Sequence, residues 1–108
     1  MELVDSAPLE SGHFCNIQID RDNEPIIAHY HAPTKNLMIS KHSAQGWQSS
    51  FPIPESGEYG LGYWPSMDVA ADGTVRVFSS SWYNKETSGY YDLNLYRTER
   101  SPSGQWNN

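Results

Sequence analysis

The side chains best suited to chemistry in this chain are its aromatics and their polar neighbours. Trp82-Tyr83-Asn84 and Glu86 open a polar stretch that ends in Tyr90-Tyr91-Asp92, with Arg97 beyond it, and Tyr63-Trp64 follow Tyr59. A planar ring offers its face to the C–H groups of a sugar, while Asn, Asp and Glu offer the donors and paired acceptors that hydroxyls need. The candidate ligand-binding residues are therefore Trp82, Tyr83, Asn84, Glu86, Asp92 and Trp64. The competing role for such rings is packing between sheets, and it fits Trp47 and Trp106, which recur after a glycine-containing turn in each half of the chain.

Catalytic and metal chemistry find less to work with. His29 and His31 alternate, so both lie on one face of a strand with Ala28 and Tyr30 on the other. Two imidazoles are short of the three or four ligands of a zinc site, which makes hydrogen-bonding histidines, solvent-facing or between sheets, the expectation, with no metal and no cofactor. Arg21, Arg76, Arg97 and Arg100 stand in no catalytic signature, and Ser79-Ser80-Ser81 has no nucleophile-elbow pattern. Asp20, Asp22, Asp68 and Asp72 read as turn and strand-end residues that bond to local backbone. Cys15 is alone, so no internal disulfide is possible, and a small buried thiol is expected. The reading is that of a protein that is not an enzyme.

The elements that position these residues follow from composition and pattern. The chain has 108 residues, 7 basic against 13 acidic, and 4 Trp with 7 Tyr. That length holds one domain. A net charge of -6 gives no electrostatic footprint for nucleic acid or an anionic membrane, and no apolar run approaches a membrane span. Met1-Glu2-Leu3-Val4-Asp5 lacks the basic and apolar regions of a signal peptide, so the cytoplasm is the default expectation. Gly, Pro and Asp-Gly-type breakers interrupt every stretch long enough for a helix, which predicts an all-β chain.

The strands come as a repeat. Asn16-Ile17-Gln18-Ile19 runs into Asp22-Asn23, as Ser66-Met67-Asp68-Val69 runs into Asp72-Gly73, and both are hairpin signals. Second strands follow at Pro25 to Tyr30 and Val75 to Ser80, and third strands at Asn36 to Lys41 and Asp92 to Arg97. The third strands align by setting Leu37 on Leu93, with Trp82 to Tyr91 read as a loop insertion. Gln48 to Pro54 reads as a fourth, outer strand, with prolines tolerated at a sheet edge. No such strand follows Trp106, but Glu2 to Gly12 resembles Phe51 to Gly57 and precedes an inner strand.

Asp22-Asn23-Glu24-Pro25-Ile26-Ile27-Ala28-His29-Tyr30, Asn36-Leu37, Gly46-Trp47 and Trp64-Pro65-Ser66-Met67-Asp68-Val69 through Asp72-Gly73 resemble the repeats of sialidase-like and lectin-like β-propellers. The sialidase Asp-box has Ser or Thr two residues before the Asp and an aromatic after the turn, whereas Asp20, Pro25, Ala70 and Val75 occupy those places here. The resemblance implies two four-stranded blades, about residues 13–54 and 63–108, with 1–12 supplying the outer strand of a neighbouring blade. Two blades leave edges and faces uncovered, and a ring of identical chains covers them: three chains for six blades, as in small two-blade lectins, or four for eight. The function implied is a non-catalytic carbohydrate-binding module whose partners are itself, as a homotrimer or homotetramer, and glycans. The alternatives are a fragment or relative of a sialidase-like glycan-processing propeller, and a structural or protein-interaction propeller.

Overall fold

A computed structural model describes residues 1–4, 11–53, 60–85 and 90–107, and for 11–13, 60–61, 82–85 and 90–93 it describes the backbone alone. The described chain is all-β, with eight strands: β1 (Ser11–Ile19), β2 (Pro25–His31), β3 (Asn36–Ser43), β4 (Gly46–Ser50), β5 (Gly60–Val69), β6 (Val75–Lys85), β7 (Tyr90–Arg100) and β8 (Trp106–Asn107). They form two four-stranded antiparallel sheets in the orders β1-β2-β3-β4 and β5-β6-β7-β8. Both sheets are open.

The hairpin turns explain why the strands start where they do. Asp20–Glu24, Ala70–Thr74 and Ser101–Gln105 share one geometry, in which the first residue's N–H donates to the fifth carbonyl and the fourth N–H donates to the first carbonyl. The fourth residue needs positive φ, and Asn23 (62°), Gly73 (94°) and Gly104 (98°) supply it. Asp20 Oδ1 accepts from the N–H of Asp22 and of Glu24, and Asp72 Oδ1 accepts from the Thr74 N–H, as expected for turn aspartates. Asp68 differs. It lies within β5, exposed, 3.6 Å from Arg76, because the strand's alternation leaves it on the face away from the other sheet.

Four other expectations are corrected by the strand register. The chain does carry a fourth strand after the last turn, β8, paired with β7 through Glu99–Asn107 and Arg100–Trp106. The outer strand of the first sheet is Gly46–Ser50, because the turn at Gly46 lets Trp47 pair with His42 at once. The stretch from Trp82 to Tyr91 is largely an extension of the β6–β7 hairpin, with Trp82 opposite Leu93 and Lys85 opposite Tyr90. The third strands therefore align with Leu37 on Leu95, since Tyr30–Leu37 and Ser80–Leu95 are the matching pairs. Glu2–Val4 belong to no strand here, Ser11 and Gly12 open β1, and residues 5–10 of the expected exchanged strand lie outside the described residues.

The core lies between the sheets. Ile26 and Ala28 from β2 and Leu37 and Ile39 from β3 meet Met67 from β5 and Val75 and Val77 from β6, with Ile53 closing one side. β5 crosses β1, β2 and β3 of the first sheet. Gly62, at φ 89°, permits that approach: a Cβ there would lie 2.5 Å from the Leu37 Cα. Asn36 ties the segment before β5 to the first sheet, donating from Nδ2 to the Ile53 carbonyl while its Oδ1 accepts from the Leu37 N–H. Arg21 joins the turns of the two sheets, donating to the carbonyls of Asp72 and Pro102.

Candidate functional site

The aromatic candidates are positioned by a repeated defect in the inner strands. The β1–β2 register slips between His13 and Asn16, and the β5–β6 register slips between Tyr63 and Ser66. Each slip is a β-bulge, which frees backbone from the ladder and re-aims side chains. Phe14 and Trp64 occupy the same place in the two bulges and both have left-handed backbone, φ 51° and 48°. Aromatic residues rarely adopt that conformation, so both sites hold strain that the surrounding sheet maintains. Pro65 fits the second bulge because its missing N–H has no ladder partner to lose. Cys15, at the equivalent place in the first bulge, is exposed rather than buried, whereas Pro65 is buried: the bulge is shared, but β1 is bare here, with Ile17 and Ile19 exposed as well.

The result is an aromatic cluster at one end of the sheet stack. Phe14 and Trp64 rings lie 5.3 Å apart, tilted by 55°, and Phe14 is 5.6 Å from Tyr63. Tyr63 stacks on Tyr30 at 4.5 Å, and its hydroxyl donates to the Tyr30 hydroxyl at 3.2 Å. Burial first, then Tyr63, pushes the Tyr30 phenol well above its ordinary range. Tyr30 is thus a buried support, whereas Trp64 is 54% exposed and Phe14 39% exposed. Trp64 is a surface ring, and of the six candidates it is the one whose side chain is described.

For the others, the backbone register gives the placement. Trp82, Tyr83 and Asn84 lie on β6, with Trp82 opposite Gly60 on one side and Leu93 on the other; Asp92 lies on β7 opposite Tyr83. They occupy the same end of the second sheet as Tyr63, which pairs with Ser80. Glu86 and Tyr59 lie outside the described residues.

A concavity at the opposite end of the sheets from these aromatics was not legible in the sequence. A cleft of about 500 Å³ opens between the sheets, with Ile26 and Ile39 as apolar walls, Trp106 at one side, and Lys41, Gln48 and Arg100 supplying polar groups. These residues come from both sheets and from strands far apart in the chain, so no local spacing marks them. Lys41 is held beside Asp20 at 2.9 Å and Asp22 at 3.5 Å. Burial would raise the Asp20 carboxyl, but the Lys41 ammonium and the Glu24 and Asp22 N–H groups outweigh it and hold the carboxyl below its ordinary value.

His29, His31 and His42 serve packing and hydrogen bonding. His29 is buried, with Nε2 3.0 Å from the Ser40 hydroxyl, which in turn lies 2.7 Å from that of Ser49. His31 Nδ1 is 2.9 Å from the Thr34 hydroxyl and its ring meets Phe51 edge-on. His42 lies 2.7 Å from Glu24 and edge-on to Trp47. Trp106 packs at the margin of the core. Among the described residues no group of three His, Cys, Asp or Glu side chains is placed to hold a metal ion. Compared with known proteins, the chain matches no family model, no curated protein and no solved structure.

Proposed function

We propose that this chain is a non-catalytic carbohydrate-binding module that works as a lectin-like homo-oligomeric β-propeller, a homotrimer in preference to a homotetramer. The observation that carries the reading is the exposed Trp64 ring, set with Phe14 at strained bulges beside the end of the sheet that bears Trp82, Tyr83 and Asp92. A rigid ring fixed on a strand costs little entropy when a sugar's C–H face settles on it. Backbone strain retained at an aromatic, twice and at equivalent places, is the kind of local cost associated with a functional surface. One site of this size binds weakly, and repetition around a ring converts weak sites into avidity for a multivalent glycan.

The test is a glycan-array screen of the purified chain, followed by titration of the best hit into Trp64→Ala and Trp82→Ala, with the mass of each variant followed by light scattering. The reading expects at least a roughly tenfold loss of affinity, about 1.4 kcal/mol, in a variant that keeps its mass. Unchanged affinity in both variants, or an array without hits, counts against it.

A further inference from the structure

The two sheets are copies of one another, and they pack head to tail: the face of the second sheet that carries Met67, Val69, Val75 and Val77 covers the opposite kind of face on the first, the one that carries Ile26, Ala28, Leu37 and Ile39. Equivalence by register then identifies what each sheet leaves over. Met67 and Val69 correspond to Ile17 and Ile19 on β1, and Ala28 and Leu37 correspond to Phe78 and Leu95 on β6 and β7. Exposure separates the members of each pair. Met67 is 5% exposed and Ile17 59%; Leu37 is 0% exposed and Leu95 74%; Ala28 is 0% exposed and Phe78 41%. The inner strand that covers a neighbour in the second sheet is uncovered in the first, and the surface covered in the first sheet is bare in the second.

We infer that Ile17 and Ile19 of one copy of this chain dock on Phe78 and Leu95 of a second copy, repeating between chains the contact already made within the chain. The partner is a second copy because the two bare surfaces are the repeat equivalents of two surfaces that fit each other. A single face with no counterpart would identify no partner. The contact is heterologous, so each chain offers one surface of each kind and the series continues until it closes on itself. Its chemistry is more polar than the internal contact. Arg76 and Arg97 stand where Ile26 and Ile39 stand, Arg76 is paired with Asp68 at 3.6 Å and Glu99 at 3.2 Å, and Ala71 stands where Arg21 bridges the turns. The contact between chains is therefore the weaker of the two, and dilution dissociates it before the chain unfolds. The inference rests on the ring reading above and specifies the surfaces that make the ring.

The experiment is light scattering behind size exclusion on the wild-type chain, on Ile17→Asp, on Leu95→Asp, and on an equimolar mixture of the two variants. The expected result is a multiple of 12.2 kDa for the wild type, the mass of one chain for each variant, and the mass of two chains for the mixture. In the mixture, the intact Leu95 surface of one variant meets the intact Ile17 surface of the other, and the pair cannot grow further. A monomeric wild type overturns the ring reading and this inference together. An assembled wild type whose mass neither variant alters, or whose variants dissociate without recovering in the mixture, overturns the inference alone. Loss with Ile17→Asp but not Leu95→Asp also overturns it, since a symmetric contact would behave so. Far-UV circular dichroism checks that each variant is folded, and Ile19→Lys with Phe78→Ser gives a second pair on the same two surfaces.

Discussion

At the scale of single residues, backbone conformation decides more than side-chain type. Trp64 adopts φ 48°, where an L-residue costs roughly 1–2 kcal/mol and glycine almost nothing. Trp64→Gly is therefore expected to be more stable than Trp64→Ala by ~1 kcal/mol, measured by urea denaturation, the reverse of the usual order in a strand; the usual order would mean that the bulge relaxes when the ring is removed. Asp20 supplies a second prediction. Its folded carboxyl is held below the unfolded value, so its contribution is fully present above pH 4, roughly the value of a free carboxyl, and is lost as pH falls through the lower folded value. The denaturation midpoint of the wild type should fall below pH 4, and Asp20→Ala should flatten that part of the profile. Equal slopes in the two proteins would remove Asp20 from the account.

At the scale of elements, the glycines of the turns and the inner strand separate two kinds of constraint. Gly46 and Gly62 both have positive φ, but a Cβ at Gly46 meets nothing within 4 Å while one at Gly62 would lie 2.5 Å from the Leu37 backbone. Gly46→Ala carries the conformational cost of about 1 kcal/mol. Gly62→Ala adds displacement of β5 from the first sheet, so it should be the worse by ~2 kcal/mol or more, read from paired urea melts. Similar costs for the two would mean that β5 does not approach Leu37 so closely. The turn chemistry behind these elements was readable in advance: Asp-Asn and Asp-Gly announced two hairpins, and Gly104 makes a third of the same kind from a Ser-Pro-Ser-Gly sequence. The length of the β6–β7 hairpin was not readable, because Asn84 and Lys85 look like loop residues, whereas cross-strand pairing overrides local preference where a partner strand is available.

At the scale of the whole molecule, equivalent residues have unequal environments. Leu37 and Leu95 hold the same register position, yet one is fully buried and the other 74% exposed. Leu37→Ala should cost the ~2–5 kcal/mol of a core truncation at any protein concentration. Leu95→Ala should leave the stability of a dilute, dissociated chain within ~0.5 kcal/mol of wild type. At high concentration it should lower the midpoint of thermal unfolding, because an assembled chain gains stability by mass action. A Leu95→Ala effect that is large and independent of concentration would mean that the residue is internal.

The sequence by itself determined the all-β character, the two copies, the Asp-based turns and the starts of β2, β3 and β6, since these depend on alternation and on φ preferences within a few residues. It also placed Trp64 among the residues to watch. Tertiary structure decided which copy of each residue is buried, how β5 lies over the first sheet, that Phe14 and Trp64 meet, and that Lys41, Arg100 and Trp106 border one cleft. The reason is physical. A strand pattern specifies two faces and which residues share them, but a repeat presents the same two faces twice. Which face meets which is settled only when one sheet packs on the other, and that contact joins residues separated by half the chain.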